Sequence, residues 1–289
     1  MSDYSPSSNS FISQRLKLNY TDWGNPDAPP LLLLHGGRDH SRNWDWTAQR
    51  LRDRWHIIAP DLRGHGDSQW TSDGDYHVNS MVYDLAQLIH QLDLAPLRIV
   101  AHSLGGDVAS RYTALYPSNV LKLVNVEGLG RSPAAQVQID TDKIDERLRT
   151  WIEGRREASR RTPKRYATLE DAVARMKEQN THLSDAQARH LTFHGANRNE
   201  DGTWSWKFDP FVNAWPAIDL TRHQVDALWD AITCPVLLMY GLDTWASNPR
   251  EDGRMKRLKA AQLIEIADAG HWLHHDQFEQ FIETLEQFL

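Results

Sequence analysis

The stretch "IVAHSLGGDVASRYTALYP", Ile99 to Pro117, decides how this chain is read. An apolar run ends near Ala101, Ser103 falls beside two glycines, and a helix begins at once. A strand that turns directly into a helix pushes the residue at the bend into open space, and aims the next backbone N–H, here that of Leu104, at the same space. A serine held there becomes a nucleophile once a base removes its proton. The bend needs small neighbours, and Gly105 and Gly106 supply them on one side. On the other side, where the pattern Gly-x-Ser-x-Gly has glycine, this chain has Ala101, only a methyl group larger.

Two further stretches share that placement at a strand end. In "LLLLHGGRD" a continuous apolar run, as expected of a strand buried on both faces, ends at His35-Gly36-Gly37. There a backbone N–H from Gly37 can join that of Leu104 in an oxyanion hole, where losing one donor costs on the order of 100- to 1000-fold in rate. His35 reads as structural. In "IADAGHWLHHD", His271 follows Gly270 just past the last expected strand, at the carboxyl end where sites gather in open α/β sheets. It is the candidate general base. His274 and His275 fall in the start of the closing helix and read as lining or surface residues.

Working outward, short apolar runs alternate with helical patterns, which points to a mostly parallel α/β sheet flanked by helices. Strands are expected over Arg15–Tyr20, Leu31–Leu34, Trp55–Ala59, Leu97–Ala101, Leu121–Val126, Pro235–Tyr240 and Gln262–Ile266. Met81–Leu92 carries apolar residues at helical spacing, and Phe278–Leu289 closes the chain as an amphipathic helix. The alternation breaks between about Gly130 and Ala231, a polar, charged segment with no strong strand candidate. The expected organisation is a core of residues 1–130 and 231–289 with a helical insertion over 131–230. Within it, the Arg-rich run from Arg147 to Arg165 is interleaved with Glu153 and Glu157, the spacing of a solvated helix face with the i,i+4 pairs Arg149–Glu153 and Glu157–Arg161.

The bulk properties exclude several classes. Thirty-two Lys plus Arg against 39 Asp plus Glu leave a net charge of −7 in 289 residues, which argues against a general nucleic-acid partner. The single cysteine, Cys234, excludes an internal disulfide framework and a Cys-based zinc site. No apolar run is long enough to span a membrane. Met1–Ser10, polar and Ser-rich, reads as a frayed tail without a secretory pattern, so a cytoplasmic location is expected. No cofactor is expected, and no metal. His190 and His194 have helical ligand spacing, but no third ligand of matching spacing accompanies them.

Taken together, the His-Gly-Gly turn, "DLRGHGDS" (61–68), "AHSLGG" (101–106) and the late "AGHW" (269–272) resemble, in order and spacing, the α/β-hydrolase superfamily. The resemblance covers nearly the whole chain. It implies an α/β-hydrolase fold with a sheet of the eight-stranded type, and makes the inserted segment a cap. Haloalkane dehalogenases and epoxide hydrolases are similar in layout but carry aspartate at the elbow, where this chain has Ser103. The acid that serves His271 is implied in one of two places. Asp243 in "MYGLDTWAS" follows the strand where the superfamily usually carries it, and is the expected acid; Glu127 in "LVNVEGLG" is the alternative. Asp61 and Asp67 read as turn and cap residues.

The resulting expectation is a serine hydrolase that cleaves a carboxylic ester of a small or aromatic molecule through an acyl-enzyme. The same site would serve carbon–carbon hydrolysis, lactone opening or perhydrolysis, and an idle site would leave a ligand-binding protein. Twelve tryptophans stand out in the composition. Trp206 and Trp215 at the end of the insertion, with Trp245 and Trp272 beside the acid and base, are the expected walls of an apolar pocket. Arg38 and His102 are candidates to touch a polar part of the substrate.

Overall fold

In the computed structural model, which describes residues 6–213 and 216–289, Leu31–Leu34 forms the middle of an eight-stranded sheet. The elements in chain order are β1 (Ser7–Ser13), β2 (Leu16–Asp22), β3 (Pro30–Leu34), α1 (Asp45–Leu51), β4 (His56–Pro60), α2 (Val78–Gln91), β5 (Leu97–His102), α3 (Leu104–Leu115) and β6 (Val120–Val126). Then come α4 (Pro133–Thr141), α5 (Ile144–Arg160), α6 (Leu169–Gln179), α7 (Asp185–Gly195), β7 (Ala196–Arg198), β8 (Trp204–Trp206) and α8 (Arg222–Asp230). The chain closes with β9 (Val236–Gly241), β10 (Ala261–Ile266), α9 (Leu273–Asp276) and α10 (Phe278–Phe288). The sheet order is β1-β2-β4-β3-β5-β6-β9-β10, parallel from β4 to β10 and antiparallel at the β1–β2 edge.

Period-two geometry explains why the central strands read as continuous apolar runs. Side chains alternate between faces, and both faces are covered. Leu32 and Leu34 of β3, Ile99 and Ala101 of β5, and Leu238 and Tyr240 of β9 pack with Met81, Leu85 and Leu88 of α2 and Val108 and Tyr112 of α3. Leu31, Leu33, Val100, Leu237 and Met239 point the other way, against Ala48 and Leu51 of α1 and Phe281, Ile282 and Leu285 of α10. Ala101 is therefore a core residue on the α2–α3 face, and its methyl group is buried there.

Three expectations are corrected. Residues 7–10, read as tail, belong to edge strand β1, which pairs with β2 from Ser7–Asp22 to Ser13–Leu16; Met1–Ser5 lie outside the described residues. Its serines and asparagine face solvent along most of an edge, so only Phe11 and Ser13 are buried and the apolar signal is faint. The segment between β6 and β9 is not purely helical, since β7 and β8 form an antiparallel hairpin. Its last helix, α8, packs on α3 and puts Trp229 into the core cluster. On α5 the pairing also differs: Arg161 reaches Glu157 as expected, whereas Arg149 bonds Asp145 and Glu153 bonds Arg156.

The Ser103 bend is where backbones crowd most closely. A Cβ on Gly105 would stand 2.5 Å from the His35 carbonyl oxygen and 2.8 Å from that of Leu34, and one on Gly106 would stand 2.6 Å from the Gly128 Cα. Those neighbours are main chain and cannot rotate away. Gly105→Ala is expected to destabilise the fold by about 1–3 kcal/mol, read as a lower urea midpoint at unchanged slope; an unchanged midpoint would contradict this packing.

Candidate active site

Ser103 sits between β5 and α3 at φ 51°, ψ −119°, a left-handed backbone that a non-glycine residue adopts only when its surroundings force it. The forcing contacts are visible. Its N–H donates to the Val126 carbonyl at 2.9 Å, and its own carbonyl accepts from Gly106 at 2.9 Å and Asp107 at 3.2 Å. The next N–H, that of Leu104, lies at the first position of α3, where no intrahelical acceptor exists. Gly37 stands beside it: a Cβ there would lie 3.9 Å from Leu104 Cδ2. The β3 turn and the α3 N-terminus are thus adjacent, as an oxyanion hole requires.

From Ser103 a polar series runs into the protein. Its Oγ lies 2.9 Å from His271 Nε2, and His271 Nδ1 lies 2.5 Å from Glu127 Oε2. Glu127, one residue past β6, has a fully buried side chain. Its Oε1 accepts the Gly241 N–H at 2.7 Å, and its Oε2 accepts the Thr244 hydroxyl at 2.6 Å. A buried carboxylate is tolerated where such donors replace water.

The expected contact of Asp243 with His271 is therefore corrected. Asp243 is exposed, and its main-chain N–H donates to the Ala269 carbonyl at 2.9 Å, while the carboxylate against His271 is that of Glu127. The cause lies in strand order. β6 runs between β5 and β9, so the residue just past β6 emerges beside both Ser103 and the loop that carries His271. Gly241 ends β9 under that same loop, where a Cβ would stand 2.2 Å from the Ala269 carbonyl oxygen.

The other named residues divide. Arg38 is exposed beside Gly37, and Trp245 is 80% exposed with its ring centroid 4.5 Å from that of His271. His102 does not face a substrate space: it is buried, and its Nε2–H donates to the His271 carbonyl at 2.8 Å. His274 and His275, read as lining or surface residues, are buried too; both Nε2 atoms lie on Asn43 Oδ1, at 2.8 and 3.1 Å, and Asn43 in turn donates to Asp39. This buried imidazole layer beneath His271 left no periodic signal in the sequence. Trp206 packs in the β7–β8 hairpin, its indole N–H 3.2 Å from the Tyr166 hydroxyl. Trp272 packs with Leu183, Ala188 and Leu191 at the α7 seam. Trp215 lies outside the described residues. A cavity of about 500 Å³ between Trp70, Arg155 and Phe211 has none of Ser103, Glu127 or His271 in its wall.

A serine, an imidazole and a carboxylate in hydrogen-bonded series at the ends of parallel strands form the arrangement that serves acyl transfer. The alpha/beta hydrolase fold family matches residues 29–278, and the chain belongs to that family. It is similar to a serine hydrolase-like protein of Danio rerio, 26% identical over 275 residues covering 92% of this chain and 83% of that protein. An esterase of Mycobacterium tuberculosis is 28% identical over 276 residues, covering 92% and 84%. The thioesterase domain of a curacin biosynthetic pathway shares the fold at TM-score 0.83 and 21% identity, covering 98% of this chain and 99% of that one. Among the described residues no helix is long and apolar enough to cross a membrane.

Burial holds His35, His40, His65 and His275 down to about 3, and holds His102 and His274 well below the ordinary 6.5. All six stay neutral in the folded chain at pH values where the unfolded chain takes up protons. Their contribution to stability is therefore full above 6.5 and is lost as pH falls below it. Asp39, Asp107 and Asp276, raised by burial, act in the opposite sense but are fewer. The urea midpoint is expected to fall steeply between pH 6.5 and 4.5; a flat profile would contradict the neutral imidazole layer.

Proposed function

We propose that this chain is a serine esterase that acts without a cofactor on small or aromatic carboxylic esters. The observation that carries the reading is the continuous series Ser103 Oγ–His271 Nε2, His271 Nδ1–Glu127 Oε2. In the first half-reaction Ser103 Oγ attacks the ester carbonyl while His271 Nε2 takes its proton. Glu127 accepts from the Nδ1–H, which fixes the tautomer and stabilises the imidazolium. The Gly37 and Leu104 N–H groups meet the oxyanion. Collapse expels the alcohol, protonated by His271, and leaves Ser103 acylated. Water, deprotonated by His271, then releases the carboxylic acid and restores the serine. Trp245 beside His271 supplies an aromatic wall, Arg38 a cation at the rim, and the helices between β6 and β9 act as the cap.

The experiment is a p-nitrophenyl ester panel with fluorophosphonate labelling. Ser103→Ala is expected to lose labelling and to reduce kcat/KM by at least about 10³-fold; equal turnover by both proteins would remove Ser103 from the mechanism. Glu127→Gln keeps the shape of the acid but not its charge, and a loss on the order of 10⁴-fold is expected. Asp243→Asn is expected to leave kcat/KM unchanged. The reverse ranking would return the acid role to Asp243.

A further inference from the structure

We propose that Asp45, His190 and His194 form a site for one divalent cation of the zinc type, which ties α7 of the insertion to α1 of the core. His190 and His194 are four residues apart on α7 and so share a face, with ring centroids 4.6 Å apart. The fold supplies the third ligand that their local sequence lacks: Asp45, first residue of α1, whose side chain is 5% exposed. One donor atom from each of the three residues lies within 4.8 Å of the other two. Bond lengths near 2.0–2.2 Å place tetrahedral ligand atoms about 3.3 Å apart, a contraction that rotation of three side chains can supply.

A second observation points to a ligand between them. His190 Nε2 already meets Asp45 Oδ2 at 3.0 Å, and it has no partner other than that carboxylate among the described residues. The Arg42 guanidinium also reaches this group. The competitor is Arg42 itself, which forks onto Asp45 with Nε and Nη2 at 2.6–2.9 Å. Its side chain is 29% exposed and can swing toward solvent when a cation arrives. Two imidazoles and one carboxylate select zinc, copper, nickel or cobalt over magnesium or calcium, which prefer oxygen alone. The cation would join two existing ties of α7 to the core, the His40 Nε2 bond to the Leu191 carbonyl at 2.9 Å and the Gln187 amide bond to the His275 carbonyl at 3.2 Å.

The test is isothermal titration of ZnCl2 into the full chain after chelator treatment, with MgCl2 as the comparison. Wild type is expected to bind one zinc strongly, to give no heat with magnesium, and to unfold at higher temperature with zinc present. His190→Ala and His194→Ala are each expected to weaken that site by at least about tenfold, since even the residues behind a metal ligand cost that much, while ester turnover without metal stays at the wild-type level. Arg42→Ala is expected to tighten it. An isotherm for the His190→Ala/His194→Ala double variant that matches wild type, or no zinc binding by wild type, would overturn the proposal.

Discussion

The buried carboxylate of Glu127 is the point on which the upper edge of the sheet is organised. It accepts from the Gly241 N–H at the end of β9, from Thr244 in the loop beyond, and from His271, which arrives from beyond β10. One carboxylate thus joins the chain past β6 to two segments distant from it in sequence, 241–244 and the loop of His271. The arrangement is costly unless complete, because a buried carboxylate with too few donors loses its hydration without replacement. Charge neutralisation at Glu127 would therefore loosen the β9 loop as well as the imidazole. Arg254, also buried, reinforces the same seam by donating to the Leu129, Gly130 and Ser247 carbonyls.

Beneath this edge the backbone is packed without slack. Gly105 lies against the end of β3 and Gly106 against Gly128, just past β6, so the bend at Ser103 is gripped from both sides. That grip is what holds Ser103 at positive φ. His102 adds a side-chain tie, since its Nε2–H bonds the His271 carbonyl and so joins the residue before Ser103 to the loop that carries His271. Ser103 and His271 are thus positioned by main-chain packing and one buried imidazole, with Glu127 locking the far side.

Much of this was legible in the sequence because strands buried on both faces and one-sided helices leave strong patterns. The runs at Leu31–Leu34, Leu97–Ala101 and Pro235–Tyr240, and the spacing of Met81, Leu85 and Leu88, lead to the observed elements within a residue or two. The polar edge strand β1 and the short β7–β8 hairpin escaped because each buries too little apolar surface to show a period. The tryptophans misled for a related reason. Indole rings fill gaps in any core, so Trp206 packs into the insertion and Trp272 into its seam, and among the described residues Trp245 has its ring against that of His271.

Seven of the eight sheet strands, the strand-to-helix bend at Ser103, the glycines that make it possible and the loop that carries His271 are read from the sequence. These depend on local geometry: side-chain period, small residues at a tight bend, and a polar residue at a strand end. Tertiary structure alone decided which carboxylate meets His271, that His102, His274 and His275 are buried beneath it, and that Asp45 stands against His190. Each of those depends on which strands and helices become neighbours. Both Asp243 and Glu127 end a strand acceptably, and only the order β5-β6-β9-β10 puts one of them behind the imidazole.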